Sequence, residues 1–402
     1  MNKTHHKSTS NRWLFLILGG LTNAIVVALQ TMSLSVLLPE ITVDFNLTVT
    51  QAGILWGIGS LPMVFSSFLA GTLIDKFGGK RILIASCFLL GLVGALRGLS
   101  TNYTILMIAI LLFGFFAPFI NIGNIKIAGN WFKNQELGIA NGVLALGMAL
   151  GFFVGSMISA SYISPWIGGW RNTFLLYGLI SIVFMIPWFF APGKSDSKKS
   201  SQSEVKNPSW WENINQVVRI KNILLLGLTI FCINGAVQGF LGYIPLHLRN
   251  LGWLETTADS LAASFHLASM LFVIPLTLLS DKLGVRKKIL LPTILLISMG
   301  IGSFTIFKGG ILWLAVLTAG FARDGIMAIL FTMTLETKGV GETYAGTASS
   351  FMVVFASLGG LISPPIGNSF ANLTPYIPFI FWAVLCFIAV ITLTGVKENK
   401  AY

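Results

Sequence analysis

The chain has 402 residues, of which 54% are hydrophobic and only 10% are charged, and its mean hydropathy is +0.81. Soluble domains carry about 25% charged residues, so the composition argues against a water-soluble fold and favours a protein surrounded by a lipid bilayer. The net charge of +12 is typical of nucleic-acid binding. Basic residues on the loops of a membrane protein explain it more simply, and we predict no nucleic-acid partner.

Most of the chain lies in continuous apolar runs of about 20 residues, the length that crosses a bilayer core as a helix. Their continuity is unlike the alternating pattern of a membrane β-barrel. The runs are 13–38, 51–74, 82–99, 103–130, 137–162, 172–191, 222–247, 258–279, 288–306, 311–335, 343–370 and 375–396. We therefore predict an all-α membrane protein with 12 transmembrane helices in two pseudo-symmetric six-helix bundles, and we expect a monomer.

These runs set the predicted organisation of the chain. Residues 1–12 form a cytoplasmic tail, 13–191 the N-terminal bundle, 192–221 a cytoplasmic linker rich in Ser, Lys and Pro, 222–396 the C-terminal bundle and 397–402 a second cytoplasmic tail. Trp210 and Trp211 of the linker are expected at the membrane interface. We find no cleavable signal before the first run.

The distribution of Lys and Arg predicts the orientation. With both termini inside, 20 of the 26 basic residues lie on cytoplasmic segments, and four (Arg97, Arg171, Arg249 and Lys308) lie outside. Cytoplasmic loops of membrane proteins carry such an excess. The plasma membrane is the expected location.

Patterns typical of cofactor or metal chemistry are missing from the sequence. The three cysteines, Cys87, Cys232 and Cys386, are isolated inside apolar runs and have neither disulfide nor metal spacing. A Gly-Lys-Ser/Thr loop that would cradle ATP phosphates is absent. We predict no metal, no cofactor and no enzymatic activity.

One loop occurs twice. The segment Gly71–Arg81 follows the second run, and Leu279–Lys287 follows the eighth, at an offset of 206 residues. This offset pairs Asp75 with Asp281, Gly78 with Gly284, Lys80 with Arg286, and Arg81 with Lys287. An internal repeat of this length indicates that one half of the chain repeats the other.

The repeated loop and the twelve runs resemble the major facilitator superfamily over nearly the full chain. The resemblance implies a secondary transporter that works by alternating access, with its site between the halves near the bilayer midplane. The segment Trp131–Gly142 is also similar to a loop of nitrate and cyanate porters. The Gly-Pro pair of drug–proton antiporters is missing, since Phe152 follows Gly151.

The resemblance also implies a conformational latch. Asp75 would face the start of the eleventh helix near Thr343, and Asp281 the start of the fifth near Leu137, because a helix N-terminus attracts an acid. The alternative is an ordinary solvated loop. The predicted latch residues are Gly71, Asp75, Gly78, Arg81, Asp281, Gly284 and Arg286.

Charges at bilayer depth are functional candidates because each costs several kcal/mol unless it faces a partner or a cavity. Arg323 is expected to bind an anionic substrate, since a guanidinium suits carboxylate, nitrate and phosphate groups. Asp324 follows it, about 100° further around the helix, and is the predicted proton carrier. Lys126 is expected either to add positive potential on the inner half of the path or to snorkel to the surface. Structural ion pairing is the alternative for Arg323 and Asp324.

Uncharged polar and aromatic residues complete the predicted site. His266 is a second candidate proton carrier. Helix–helix hydrogen bonding is the alternative explanation for the polar ones. The remaining predicted substrate-binding residues are Asn121, Asn124, Asn234, Gln238, Gln30, Tyr243 and Trp56.

We therefore predict a secondary active transporter of a small organic or inorganic anion, coupled to protons or working by exchange. One alternative is a proton-coupled exporter of lipophilic drugs or metabolites, in which Arg323 has a structural role. A non-transporting membrane receptor or scaffold is an alternative from another class, although the short termini argue against it.

Overall fold

The computed structural model of the protein describes residues 3–132, 135–191 and 210–398. Every regular element in these ranges is a helix, and twelve of the described helices are long and apolar enough to cross a membrane. The prediction of an all-α protein with twelve spans is confirmed.

The spans of the first half are α1 (Arg12–Asp44), α2 (Val49–Phe77), α3 (Gly79–Gly98), α4 (Tyr103–Trp131), α5 (Glu136–Ile167) and α6 (Trp170–Phe190). Those of the second half are α7 (Lys221–Asn250), α8 (Glu255–Leu283), α9 (Lys287–Thr305), α10 (Gly309–Leu335), α11 (Thr343–Asn372) and α12 (Ile377–Thr394). Several helices continue past the predicted runs because polar residues such as Glu40 and Asp44 extend them beyond the apolar stretch.

The predicted tails and linker are only partly described. The first helix begins at Lys3, so most of the predicted N-terminal tail is helical. Within the predicted linker, Trp210–Val218 forms a short helix. Residues 192–209 and 399–402 lie outside the described residues, as do the side chains of Trp210 and Trp211.

The protein divides into two compact units. Unit N comprises Met1–Asn46, Ile58–Lys199 and Gly252–Ala263, and unit C comprises Leu47–Gly57, Ser200–Leu251 and Ser264–Tyr402, where these are described. The division cuts α2 and α8: the first turns of α2 belong to unit C and those of α8 to unit N.

In unit N, α1 and α5 approach closely through small residues. A side chain added at Gly147 would meet the backbone of Gly20, and one added at Gly151 would meet the backbone of Ala24. Small residues allow two membrane helices to pack backbone against backbone. The part of α1 that faces this contact, Asn23–Leu29, is a π-helix.

In unit C, α7 is the most buried span and packs on α11 and α12. Gly239 of α7 lies against the indole of Trp382. An aromatic cluster joins α7 to α9 and α12, with Phe304 and Phe379 stacked at 4.9 Å and Phe240 edge-on to Phe304 at 5.2 Å. Such ring pairs stabilise a core beyond the burial of their area.

We expect Gly151→Val to lower the thermal stability of the purified protein in detergent. The added side chain has no space against α1, and overpacking of this kind costs roughly 1–3 kcal/mol. Gly142→Val is the matched control, because open space surrounds Gly142 on the same helix. Equal melting temperatures for the two variants would contradict the described packing of α1 on α5.

Candidate functional site

The candidate site lies in unit C, where α10 is interrupted. One helical segment ends at Gly320 and the next begins at Arg323, with Phe321 and Ala322 in a turn between them. Gly320 packs against the backbone of Phe265 on α8. A larger residue would separate the two helices, so the glycine brings the break in α10 against α8.

Arg323 and Asp324 form an ion pair at this break, from Nη1 to Oδ1. The side chain of Arg323 is 23% exposed and that of Asp324 is 31% exposed. The expectation that they point in different directions was wrong, because both lie in the first turn of a helical segment where their side chains can fold together. An acid in that turn is also stabilised by the helix dipole.

Ser269 of α8 holds Asp324 in two ways. Its hydroxyl donates to Asp324 Oδ2 at 2.7 Å and accepts from the backbone N–H of Asp324 at 3.0 Å. The first N–H groups of a helix lack partners within the helix. A buried serine of α8 therefore caps the second segment of α10 and fixes its carboxylate.

His266 lies one helical turn before Ser269 and is buried. Its ring is edge-on to Phe265 at 5.5 Å, and it lies within electrostatic range of Arg323 and Asp324. Three residues predicted separately, Arg323, Asp324 and His266, thus come together. Ser269 was missed, because a serine in an apolar run gives no signal until its neighbour on another helix is known.

The structure pairs Lys126 with the repeated loop of its own unit. Its ammonium forms an ion pair with Asp75 of the repeated loop, within unit N. The pair is largely exposed, and the expectation that Lys126 adds positive potential to the path stays a prediction. The alternative of a side chain that snorkels to the helix end describes what is seen.

Two predicted polar residues of unit N lie inside its packing. Asn124 donates to the carbonyl of Gly19 at 3.1 Å and to Asn23 at 2.8 Å. Gln30 is fully buried and donates to Ser181 at 2.6 Å. These contacts fit helix–helix hydrogen bonding, the stated alternative, and the assignment of Gln30 and Asn124 to substrate binding stays a prediction.

Asn121 and Gln238 are partly buried. Their assignment to substrate binding stays a prediction.

Trp56 and Tyr243 in unit C have structural contacts as well. Trp56 donates to the carbonyl of Gln238 at 2.7 Å and packs on Gly242. Tyr243 is buried and donates to the carbonyl of Pro375 at 3.1 Å. Both therefore pack around α7, and their assignment to substrate binding stays a prediction.

Asn234 joins α7 to α11 by donating to the carbonyl of Ala356 at 2.7 Å. It remains partly exposed, so this contact is compatible with either of the two explanations given for it.

Two buried charges were not recognised from the sequence. Arg97, assigned to the outer side, is 1% exposed, because a side chain near the end of a helix points back towards its start. It donates to Gln30 Oε1 at 2.7 Å and lies 4.1 Å from the ring centre of Phe113 and 4.5 Å from that of Phe174.

Asp259 of α8 is the second buried charge, and it accepts from Ser161 at 2.7 Å. Asp259, like Asp324, is thus an acid within a span. Asp259 was missed because it stands at the very start of the predicted run 258–279.

The repeated loops share a glycine turn and a lysine that contacts the end of another helix. Gly78 and Gly284 have φ values of 85° and 63°, a conformation that favours glycine in a tight turn. Lys80 donates to the carbonyl of Ala191 at 2.6 Å, and Lys287 to those of Thr394 and Val396 at 2.8 Å. The structural equivalent of Lys80 is thus Lys287, one position from the predicted Arg286.

Arg286 holds the end of unit C together. Its guanidinium donates to both carboxylate oxygens of Glu336, at 2.6 and 2.8 Å, and to Asp281 at 2.9 Å. These hydrogen bonds, above all those to Glu336, raise the pKa of Arg286. Gly71 has open space around it, and Arg81 is exposed. The latch contacts with other helix ends stay predictions.

Twelve spans in two related halves are the architecture of secondary transporters. The chain belongs to the Major Facilitator Superfamily, whose family model matches residues 20–364. It is therefore a multi-pass membrane transporter and not an enzyme, and the resemblance seen in the sequence is confirmed.

Relatives cover nearly the whole chain at low identity. The chain is 24% identical over 383 residues to the hexuronate transporter of Bacillus subtilis, which spans 88% of this chain and 86% of that protein. It is 22% identical over 376 residues to the probable sulfoacetate transporter SauU of Cupriavidus necator (85% and 83%). It is 24% identical over 393 residues to the probable nitrate transporter NarT of Staphylococcus carnosus (91% and 92%).

A solved structure shares the fold. It is a bacterial homologue of the human lysosomal transporter Spinster in an inward-facing and unoccupied conformation, with a TM-score of 0.76 at 13% identity over 98% of this chain and 99% of that one.

We expect Arg97→Met to destabilise the protein more than Arg171→Met does. Loss of the guanidinium leaves buried acceptors of Gln30 unsatisfied, at roughly 1–3 kcal/mol for each group. Arg171 pairs with Asp44 where both side chains are more than a third exposed, and such pairs contribute at most about 1 kcal/mol. Thermal unfolding in detergent measures both variants. A larger loss for Arg171→Met would refute the structural role of Arg97.

Proposed function

We propose that the protein carries a small anion across the plasma membrane by alternating access, coupled to protons, and that Arg323 binds the anion. The partly exposed guanidinium at the break in α10 carries this proposal. A guanidinium keeps its charge at all relevant pH values, and its planar set of donors fits two oxygens of one anion.

The names of the relatives support the choice of substrate class. Hexuronate, sulfoacetate and nitrate are all small anions, although their charges and shapes differ. Lys126 pairs with Asp75 and stays a predicted contributor of positive potential on the inner side, so Arg323 is the principal anion-binding group of the proposal. The excess of basic residues on predicted cytoplasmic segments supports the proposed orientation, with both termini in the cytoplasm.

Asp324 is the proposed proton carrier, and His266 is its neighbour in the same network. A carboxylate paired with the substrate-binding cation can be neutralised by a proton when an anion takes its place on the cation. Proton binding and anion binding are then linked through Arg323.

Export of lipophilic compounds remains the second candidate, and one observation favours it. Arg323 is paired with Asp324, which is the arrangement expected if the arginine has only a structural role. Binding experiments separate the two functions, because a lipophilic compound needs no contact with Arg323.

We expect an anion from a panel of D-glucuronate, nicotinate, nitrate and sulfoacetate to raise the melting temperature of the purified protein. Arg323→Gln should weaken its binding at least tenfold, since a hydrogen bond to a charged group contributes about 1.5–3 kcal/mol. Arg323→Lys keeps the charge and should give an intermediate affinity. Arg219→Gln, at an exposed arginine before α7, is the control and should bind normally.

The same panel includes lipophilic drugs. Stabilisation by drugs alone, unchanged in Arg323→Gln, would overturn the anion carrier and favour the exporter.

A further inference from the structure

The carboxylate of Asp324 pairs with the guanidinium of Arg323, the group that is proposed to bind the substrate. It belongs to the residue next to Arg323 and pairs with one nitrogen of that guanidinium. Both side chains keep part of their surface exposed, so the pair is not sealed inside unit C. An incoming anion and Asp324 therefore compete for one cation.

Asp324 stays anchored when the pair opens. Ser269 donates to its second oxygen at 2.7 Å and accepts from its backbone N–H at 3.0 Å, and neither bond involves Arg323. The carboxyl group can thus lose Arg323 without leaving the site. Ser269 is buried, which keeps this anchor away from bulk water.

The charges around Asp324 are few. The charged or titratable groups that act on it are Arg323 on its own helix and His266 on α8. Helices α7, α9 and α11 also pack on this part of α10, and their described residues add no charge to Asp324. The empty pair has no net charge, and an added monoanion would leave one negative charge unless the carboxylate takes up a proton.

This inference rests on the proposed function. We propose that the Asp324 carboxylate acts as an internal substitute for the substrate on Arg323. A monoanion replaces it only when one proton binds at the same time. An O–H bond forms on Asp324, its ion pair with Arg323 breaks, and the anion takes the guanidinium. Protonated Asp324, Arg323 and the monoanion again sum to zero charge. Net charge is costly at bilayer depth, so both the empty and the loaded site cross the membrane uncharged.

Transport is then electroneutral, with one proton for each monoanion. A dianion bound to Arg323 beside protonated Asp324 would leave a net negative site. A neutral compound would leave a net positive site or fail to displace Asp324. Both are therefore excluded as substrates. The membrane potential does not drive uptake, whereas a pH gradient does. This separates the site from one in which the proton and the anion bind independently.

The test uses the full-length protein in proteoliposomes. The probes are three monoanions (D-glucuronate, nicotinate and nitrate), the dianion sulfoacetate and neutral nicotinamide. A trapped pH dye follows protons, and K⁺ with valinomycin sets the potential. We expect a monoanion to enter with protons, to respond to the pH gradient and to give no current. Calorimetry in buffers of different ionisation enthalpy should show about one proton taken up per anion bound.

Asp324→Asn cannot release or take up the proton. We expect this variant to keep anion exchange across the membrane but to lose at least tenfold of its proton-driven net uptake, and its anion affinity should no longer depend on pH. Asp44→Asn, which removes the carboxylate of the ion pair with Arg171 in unit N, is the control and should keep both activities. If Asp324→Asn does not fold, the proton count of the wild type decides.

The outcomes separate the two proposals. Arg323-dependent transport of sulfoacetate or nicotinamide, a current with a monoanion, or proton-driven uptake by Asp324→Asn overturns the internal substitute. None of these results by itself removes the anion carrier, with one exception. If neutral nicotinamide is the transported substrate, the anion carrier is overturned as well. Absence of Arg323-dependent binding for every probe overturns the anion carrier, and this inference with it.

Discussion

The need of each charge for a partner at low dielectric governs the polar structure of this transporter. Arg323 meets it with Asp324, whereas the Lys126–Asp75 pair is largely exposed. Arg97 meets it without an acid, by hydrogen bonds to Gln30 and by two aromatic faces. The kinds of partner differ in whether the cation can exchange them. A cation held by neutral dipoles and rings has nothing to exchange, whereas a cation held by a carboxylate can change its partner. That difference is why Arg323, and not Arg97, is the proposed substrate site.

The two units use one device to end their bundles. In each, a lysine at the start of a helix donates to the last carbonyls of another: Lys80 to the end of α6, and Lys287 to the end of α12. Basic groups are favourable there because the carbonyls lack partners and the helix dipole is negative. The acids of the repeat diverge. Asp75 pairs with a lysine of α4, whereas Asp281 shares Arg286 with Glu336. The repeat therefore preserves the turn and the lysine more closely than the acid's partner.

Interrupted helices mark the places where polar groups enter the packing. The π-helical part of α1 is followed directly by Gln30, which meets Arg97 and Ser181. The break in α10 exposes the backbone N–H that Ser269 of α8 satisfies. Irregular backbone at membrane depth is tolerated only where protein groups or a cavity satisfy it. In α10, the same serine that satisfies the backbone also fixes the carboxylate, so the break and the proposed coupling site depend on one side chain.

The sequence by itself determined the twelve spans and the repeat and made Arg323 a candidate site residue, because hydrophobic length, internal similarity and the cost of a charge in lipid are properties of the chain. Tertiary structure decided the partners. The contacts of Lys126 with Asp75 and of Gln30 with Arg97 depended on which helices lie side by side, and the contact of Arg323 with Asp324 depended on where α10 is interrupted. Ser269 gave no signal for the same reason. Pairing between helices depends on three-dimensional packing. The hydrogen bond from Ser269 to Asp324 joins residues 55 apart in the chain, and the sequence around neither residue indicates it.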